Sequence, residues 1–302
     1  MVELKPIVTI GVCVRNCAST IHDAINSIIA QDYPHELMQL VIVDGYSEDG
    51  TVSIIEECLK NTDIKTRIFR ENKGLGYARQ IVVDDAEGQY IVWVDGDMIL
   101  PKDFARKQVK FMEQNPKVGI AKGRYGLNNQ NSLVAILENM EFATAFEKVG
   151  DYTPTSLGTS GCIYRIEAIR QIGGFDANIK GVGEDMDVEH RVKAAGWKLC
   201  ISPAYFYERR RKTWRALWEE YSWHGKGGFH IYRKNKKIVI ACKMFPLAVL
   251  FKKLIQTTHA YKLTHNKKAF LLPLHYIFKR TAWFFGFLTG YIQWCRHKII
   301  SS

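Results

Sequence analysis

The residues of this chain that could do chemistry are acids and bases at marked places. Asp95-Gly96-Asp97 sets two carboxylates around a glycine, just past the apolar run 90–94. Hard oxygen ligands so placed suit Mg2+ or Mn2+, shared with the oxygens of a phosphate. The glycine lets backbone and ligand approach closely. An ordinary acidic turn has the same pattern. Glu184-Asp185 opens a stretch of helical character. Acids there stabilise a first helical turn, and one can equally serve as general base toward an attacking hydroxyl. Asn72-Lys73-Gly74-Leu75-Gly76-Tyr77-Ala78-Arg79 brings two glycines, a lysine and an arginine to a helix start. It is neither a three-glycine dinucleotide fingerprint nor a Walker A loop, but its cations can meet a nucleotide or diphosphate. Arg209-Arg210-Arg211-Lys212, followed by Trp214, Arg215 and Trp218, reads as a solvated basic face, as a helix packing its tryptophans on the body, or as an arginine cluster for phosphate.

Such residues need elements to hold them. Val8–Val14 is a β-rich run ending at Arg15-Asn16. Thr20 and Asp23 form a capping-box pattern ahead of Ile21, Ala24, Ile25, Ile28 and Ile29, one apolar helical face that Tyr33-Pro34 closes. A second strand, 40–43, ends at Asp44-Gly45, and a helix follows with Val52, Ile55, Cys58 and Leu59 inward. Then come a strand at 64–69, a helix at 74–85 and a buried strand at 90–94. Strands alternating with helices predict an α/β fold, a mostly parallel sheet flanked by helices. Ligands bind such sheets at the carboxyl ends of the strands, where Asn16, Asp44, Asp95 and Asp97 stand. Further helices are predicted at 132–146, 167–172, 184–195 and 213–232, and strands at 162–165 and 197–201.

Charge divides the chain. The net charge is +11, yet 207–302 holds 20 basic and 3 acidic residues, with no carboxylate side chain after Glu220. The rest is net acidic. A basic, aromatic tail suggests a polyanionic partner, membrane or nucleic acid. Trp283, Phe284, Phe285, Phe287, Tyr291 and Trp294, followed by Arg296 and Lys298, suit a helix at headgroup level. The uncharged run 281–295 would rise only about 22 Å, against a hydrocarbon core of about 30 Å. Pro246, Pro273, Gly286 and Gly290 are expected to break the tail into short segments. Seven cysteines, at 13, 17, 58, 162, 200, 242 and 295, form no CxxC pair and read as free thiols. The opening residues run straight into a strand-like segment, so no signal peptide is expected.

Taken in order, these motifs resemble the family 2 glycosyltransferases over about residues 6–230. Val8–Asn16 is similar to their opening nucleotide-binding strand, Ile42–Thr51 to a VVDDGSxDGT pattern, Asn72–Arg79 to NxGxxxAR, and Trp93–Asp97 to their DxD. Glu184-Asp185 follows Gly173-Gly174-Phe175-Asp176 as a catalytic ED follows GGFDE. The resemblance implies a GT-A fold and inverting transfer from a UDP- or GDP-sugar. It implies that Asp185 is the base and that Glu184 and Trp214 bind the acceptor. Val14, Arg15, Asn16, Asp44, Lys73, Arg79, Asp95, Gly96 and Arg211 would surround the nucleotide sugar. Asp97, with Asp95, would hold Mn2+ or Mg2+. Gly45 departs from the pattern, replacing its second acid. The QxxRW motif of processive enzymes is only loosely echoed by Arg211-Lys212-Thr213-Trp214, which argues against a polymer synthase. The expected organisation is a catalytic domain at 1–206, a basic aromatic segment at 207–237 completing the active site, and membrane-associating helices at 238–302. The expected acceptor is lipid-linked or a membrane-proximal glycan, and the expected place is the cytoplasmic face of the cell membrane, on an anionic surface. A polyprenyl phosphate acceptor, already ionised, would need no base. A nucleic-acid-binding protein would use the tail but leave Asp44, Asp95, Asp97 and Asp185 idle; no nucleic acid is expected.

Overall fold

The structure is a computed structural model, and it describes residues 8–129, 131–151, 156–179, 181–236, 238 and 250–300. In chain order the elements are β1 (Val8–Val14), α1 (Ile21–Ile29), β2 (Met38–Asp44), α2 (Thr51–Leu59), β3 (Lys65–Arg70), α3 (Leu75–Asp85), β4 (Tyr90–Trp93), β5 (Met98–Ile99), α4 (Phe104–Gln114), β6 (Val118–Tyr125), α5 (Leu133–Ala145), β7 (Gly150–Asp151), β8 (Cys162–Arg165), α6 (Ile166–Gln171), α7 (Glu184–Ala194), β9 (Lys198–Glu208), α8 (Trp214–Lys234), α9 (Leu250–Thr264) and α10 (Leu272–Ile300). They form two compact units, 1–126 with 146–208, and 127–145 with 209–302.

The first unit is built on one sheet of order β3-β2-β1-β4-β8-β6-β9-β5, with β7 also on β9. β1, β2, β3 and β4 are parallel neighbours, as their alternation with helices requires. β1 and β2 are β-branched runs covered on both faces, the composition of a buried parallel sheet. Beyond β4 the sheet is mixed. β8 runs antiparallel to both β4 and β6, and β5 and β7 run antiparallel to β9. The chain leaves β1 for β2 and β3 on one side, then returns to β4 on the other. That reversal opens a crevice at the carboxyl ends of β1 and β4.

Two local expectations are corrected. Thr20 does not cap α1 with its side chain; its hydroxyl donates to the Cys17 carbonyl at 3.3 Å instead. The helix stops at Ile29, ahead of Tyr33-Pro34, because Gln31 is drawn aside to the Ser27 and Pro101 carbonyls. The face carried by Ile21, Ala24, Ile25 and Ile28 is buried as its spacing predicts.

The second unit is helical. Its core joins Leu137 and Met140 of α5 to Ala260, Ala269 and Leu272. α10 is one helix of 29 residues, not short segments. Pro273 sits in its first turn, where a missing N–H costs nothing. Gly286 and Gly290 face α8, where a Cβ at Gly286 would strike the Ser222 backbone and one at Gly225 the Trp283 backbone. The glycines therefore let two helix backbones touch. Pro246 and Cys242 lie outside the described residues. Among the described residues the cysteines are free, and no helix is long and apolar enough to cross a membrane.

Candidate active site

At the carboxyl end of β1 the chain turns through Asn16, at φ 53°. Its backbone N–H donates to Ser47 Oγ at 2.8 Å, and its Oδ1 accepts the Glu48 N–H at 3.0 Å. Asp49 completes this latch, accepting from the Ala18 N–H and the Thr51 hydroxyl. Those donors, the Thr51 hydroxyl first, hold its carboxyl below the usual range. The two loops after β1 and β2 are thereby one rigid rim. Asp44, fully buried at the end of β2, accepts the Ser47 N–H at 3.1 Å and lies 3.5 Å from Arg70 Nε. Val14 ends β1 beside it, paired with Asp44 in register. Gly45 lies against Arg15, whose side-chain carbons are 3.2–3.4 Å from where a Cβ would stand.

The loop before α3 is held from within. Glu71 accepts the N–H groups of Lys73 and Gly74 at 2.7 and 3.2 Å. Lys73 Nζ lies over the Tyr77 ring at 4.2 Å. Gly76 is demanded by packing, since a Cβ would lie 2.6 Å from the Asp176 carbonyl oxygen and 2.7 Å from that of Ile179. Arg79 then points inward from α3. It is buried, pairs with Glu184 at the start of α7, and lies 4.0 Å from Asp95. Arg79 Nε and Glu184 Oε2 are buried without a hydrogen-bond partner.

Asp95 and Asp97 follow β4. Gly96 makes their turn possible, because a Cβ there would press on Val14 and Cys17 at 3.0–3.1 Å. Asp95 accepts the Ser160 hydroxyl. The Cys17 thiol is pushed up by burial first, and then by Asp97, Asp49 and Asp95. The donors that Asp95 and Asp97 offer are all oxygen, which suits Mn2+ or Mg2+. Asp185, in the first turn of α7, accepts the Met186 N–H at 2.7 Å. Its Oδ2 is 3.7 Å from the Cβ position of Gly158, and Lys122 Nζ is 3.9 Å from the same point.

The structure thus brings Val14, Arg15, Asn16, Asp44, Lys73, Arg79, Asp95, Gly96, Asp97, Glu184 and Asp185 into the first unit. Glu184 is turned to Arg79 and is 2% exposed. Arg211 and Trp214 belong to the second unit. There Arg211 pairs with Glu220 at 3.0 Å, and Trp214 packs on Phe278 with ring centres 4.9 Å apart. Glu138, Glu141 and His275 in that unit have the spacing of metal ligands. Lys279 Nζ already takes the cation's place, 2.5 Å from Glu138 and 2.8 Å from Glu141. Burial works against the Lys279 ammonium, but the two glutamates outweigh it and hold its proton well above the ordinary range.

Two further charged residues reach the site without a motif to announce them. Lys122 of β6 is buried, donates to the Ser160 carbonyl at 2.6 Å and lies among the Tyr125, Phe146 and Phe206 rings. Glu189 of α7 is buried one helical turn after Asp185. The signals are a lysine inside a strand and an acid four residues beyond an acid.

Comparisons with known proteins show the family and the fold. The model of the family described as "Glycosyl transferase family 2" matches residues 9–173. A poly-beta-1,6-N-acetyl-D-glucosamine synthase of Staphylococcus epidermidis is 25% identical over 265 residues, 82% of this chain and 60% of that protein. Its counterpart in Staphylococcus aureus strain COL is 23% identical over 267 residues, 86% of this chain and 63% of that protein. This chain therefore spans about 60% of the length of those relatives. Among solved structures, the mannosyltransferase PcManGT from Pyrobaculum calidifontis, in complex with GDP-Man and Mn2+, has TM-score 0.67 and 18% identity, covering 95% of this chain and 88% of its own. S. aureus TarS in complex with UDP-GlcNAc has TM-score 0.55 and 16% identity, covering 95% and 92%. At these identities the structures show a shared fold.

Proposed function

This chain belongs to glycosyl transferase family 2, and on that premise we propose that it is an inverting, metal-dependent transferase moving a sugar from a UDP- or GDP-sugar to a hydroxyl of a membrane-proximal glycan or lipid-linked acceptor. The observation that carries this reading is the link Arg79 makes between Asp95, just past β4, and Glu184 at the start of α7. Asp44 ends β2 and Asp95 and Asp97 follow β4, and Arg79 ties Asp95 to the Glu184 end of that helix.

In the proposed reaction Asp44 holds the base or ribose, and the rim of Val14, Arg15 and Asn16 closes over the nucleotide. Lys73 and Arg79 supply positive charge toward the diphosphate. Asp185 takes the proton of the acceptor hydroxyl, a contribution of about 10²–10⁴-fold. The acceptor oxygen bonds to the anomeric carbon as the bond to the diphosphate oxygen breaks, and the nucleoside diphosphate leaves as an anion. Mn2+ or Mg2+, held by Asp97 and Asp95, would supply Lewis-acid neutralisation of that anion.

Asp185→Asn and Asp97→Ala test the reading in a thermal-shift and turnover panel of UDP- and GDP-sugars with Mn2+. A bound donor raises the melting temperature of the folded form. Asp185→Asn should keep the donor shift and lose turnover, while Asp97→Ala should lose the metal-dependent shift. Unchanged turnover in Asp185→Asn would remove the base and favour an acceptor that arrives ionised, such as a polyprenyl phosphate.

The proposal also places catalysis in 1–206 and attachment to the cytoplasmic face of an anionic membrane in 238–302. In support, Leu271, Leu274, Phe285, Leu288 and Ile292 are exposed along one face of α10 and the turn before it. Their spacing of three, four and seven, with one gap of eleven, is that of a single helical stripe. Around it stands a tail without carboxylates beyond Glu220. Pelleting with vesicles should require anionic lipid and weaken with salt, at about 1 kcal/mol per nearby Lys or Arg. Binding to oligonucleotides but not to vesicles would replace this assignment.

A further inference from the structure

The segment from Ser156 to Cys162 lies between the proposed base and the proposed metal acids, and it is fastened at both ends. At one end Glu189 accepts the Ser156 hydroxyl at 2.9 Å, the Leu157 N–H at 2.9 Å and the Gly158 N–H at 3.0 Å. At the other, the Ser160 hydroxyl donates to Asp95, and the Gly161 N–H donates to the Trp93 carbonyl at 3.1 Å. Two more ties cross the middle. Cys162 Sγ donates to the Gly158 carbonyl at 2.9 Å, and Lys122 Nζ to the Ser160 carbonyl at 2.6 Å. Gly158 itself is at φ +67°, directly facing Asp185 Oδ2.

Glu189 is 4% exposed, and both of its carboxylate oxygens accept from the segment 156–158. A buried carboxyl surrounded by three donors from one loop is a fastening. It stands on the same helix as Asp185, one turn on, so whatever fixes the loop against Glu189 fixes it against Asp185. The loop then carries that position to Asp95. We propose that Glu189 is a positioning residue of the transfer reaction, setting the distance between the base Asp185 and the acid Asp95 through the strap 156–160. This rests on the reading of Asp185 and Asp95 given above.

The strap also explains the chemistry around Glu189. Among the described residues, the Asp185 charge on α7 acts on Glu189, and the Glu189 charge acts in turn on Cys162 and Tyr164 of β8. Burial first, and the Asp185 charge second, push the Glu189 carboxyl up to about 8, against the pull of the Leu157, Ser156 and Gly158 donors. The fastening therefore changes its charge within the range where enzymes are assayed.

The test uses Glu189→Gln in the full chain, with Mn2+-dependent hydrolysis of UDP-GlcNAc and GDP-mannose read as nucleoside diphosphate release from pH 6 to 9. Misplacing reacting groups by about 1 Å costs on the order of 10²-fold. The expected result is a kcat lower by about 10- to 100-fold with the donor KM within about threefold, and a pH profile without the inflection near pH 8 expected of the parent. A kcat within about twofold of the parent, a KM rising in step with the loss, or an inflection that persists would each overturn the proposal. If Glu189→Gln does not fold, Ser156→Ala carries the test. It should lose about fivefold in kcat, the equivalent of one neutral hydrogen bond, and an unchanged kcat would overturn the proposal. Asp185→Asn runs alongside. Inactive Asp185→Asn beside silent Glu189→Gln defeats this proposal alone, whereas active Asp185→Asn defeats the site assignment and this proposal with it.

Discussion

Replacing Gly286 by alanine sets two effects against each other. In an exposed helix interior the change stabilises by about 1 kcal/mol, because glycine is the poorer helix former. At Gly286 the added methyl would lie 2.7 Å from the Ser222 carbonyl carbon and 2.8 Å from its Cα, and nearer still to the carbonyl oxygen. Non-bonded carbons rest at about 3.5–4.0 Å, so α8 and α10 would have to part by on the order of 1 Å. The obstacle is helical backbone, so no rotamer change relieves it. Nor is there slack on the other side. Gly225 meets α10 equally closely, its Cβ position 2.8 Å from the Trp283 carbonyl carbon and 2.9 Å from Phe287 N. Overpacking costs about 1–3 kcal/mol, and a rigid obstacle takes the upper end. After the gain in helix propensity the net loss is about 2 kcal/mol. Tryptophans 214, 218, 223, 283 and 294, five of the seven, lie in the second unit, so their fluorescence reports on it. In urea the midpoint should fall by about 1 M, for a slope of about 2 kcal/mol/M. Gly181→Ala, where a Cβ meets nothing within 4 Å, is the control and should stay within about 0.5 kcal/mol. A Gly286→Ala chain about 1 kcal/mol more stable than the parent would refute the crossing of α8 and α10.

Three other outcomes follow from charges that have left water. Lys279→Met leaves Glu138 and Glu141 together without their cation and should cost about 3–5 kcal/mol in chemical denaturation, with partial recovery when Glu138→Gln is added. Arg79→Met strands the buried Glu184 carboxylate and should be similarly costly, whereas a loss below about 1 kcal/mol would mean that Glu184 reaches water. Glu189 has its folded value, about 8, above the 4.5 of the free side chain, so the native state keeps a proton that the unfolded chain releases. Its contribution to stability is therefore full below about 4.5 and is lost as pH rises through about 8, at no more than about 1.4 kcal/mol per pH unit. Glu189→Gln should flatten that slope in denaturation curves taken at several pH values.

Much of the first sheet was legible because β1, β2 and β4 are apolar runs with polar residues at or just past their carboxyl ends, a pattern a core does not need. β6 was not. Val118–Tyr125 carries two glycines, a lysine and an arginine, and only its neighbours justify them. Lys122 needs the three rings around it, and Gly123 needs the Phe104 ring, 2.8 Å from its Cβ position. The antiparallel course of β8 is likewise a matter of which strand it meets, and no spacing records that. In the tail, a glycine that breaks a helix and a glycine that admits a second helix are the same letter, and only the Ser222 backbone of α8 tells which of the two Gly286 is. At the site, Asp44, Asp95, Asp97 and Asp185 could be read because each stands in an ordered motif. Glu189 and Lys122 act on a loop rather than in a motif, and the fold alone brings them to it.

The contact between Gly45 and Arg15 bears on what can replace either residue. Three carbons of the Arg15 side chain lie 3.2–3.4 Å from the place a Cβ would take at position 45. Any larger residue there must shift the arginine by a few tenths of an ångström. An aspartate would also draw its guanidinium toward a new carboxylate. The merit of a change at 45 thus depends on what already stands at 15, and the reverse holds as well. The two positions are therefore expected to be coupled. Restoring the acid alone is a different experiment from restoring the pair, and a double-mutant cycle across 15 and 45 would carry a coupling that neither single change displays.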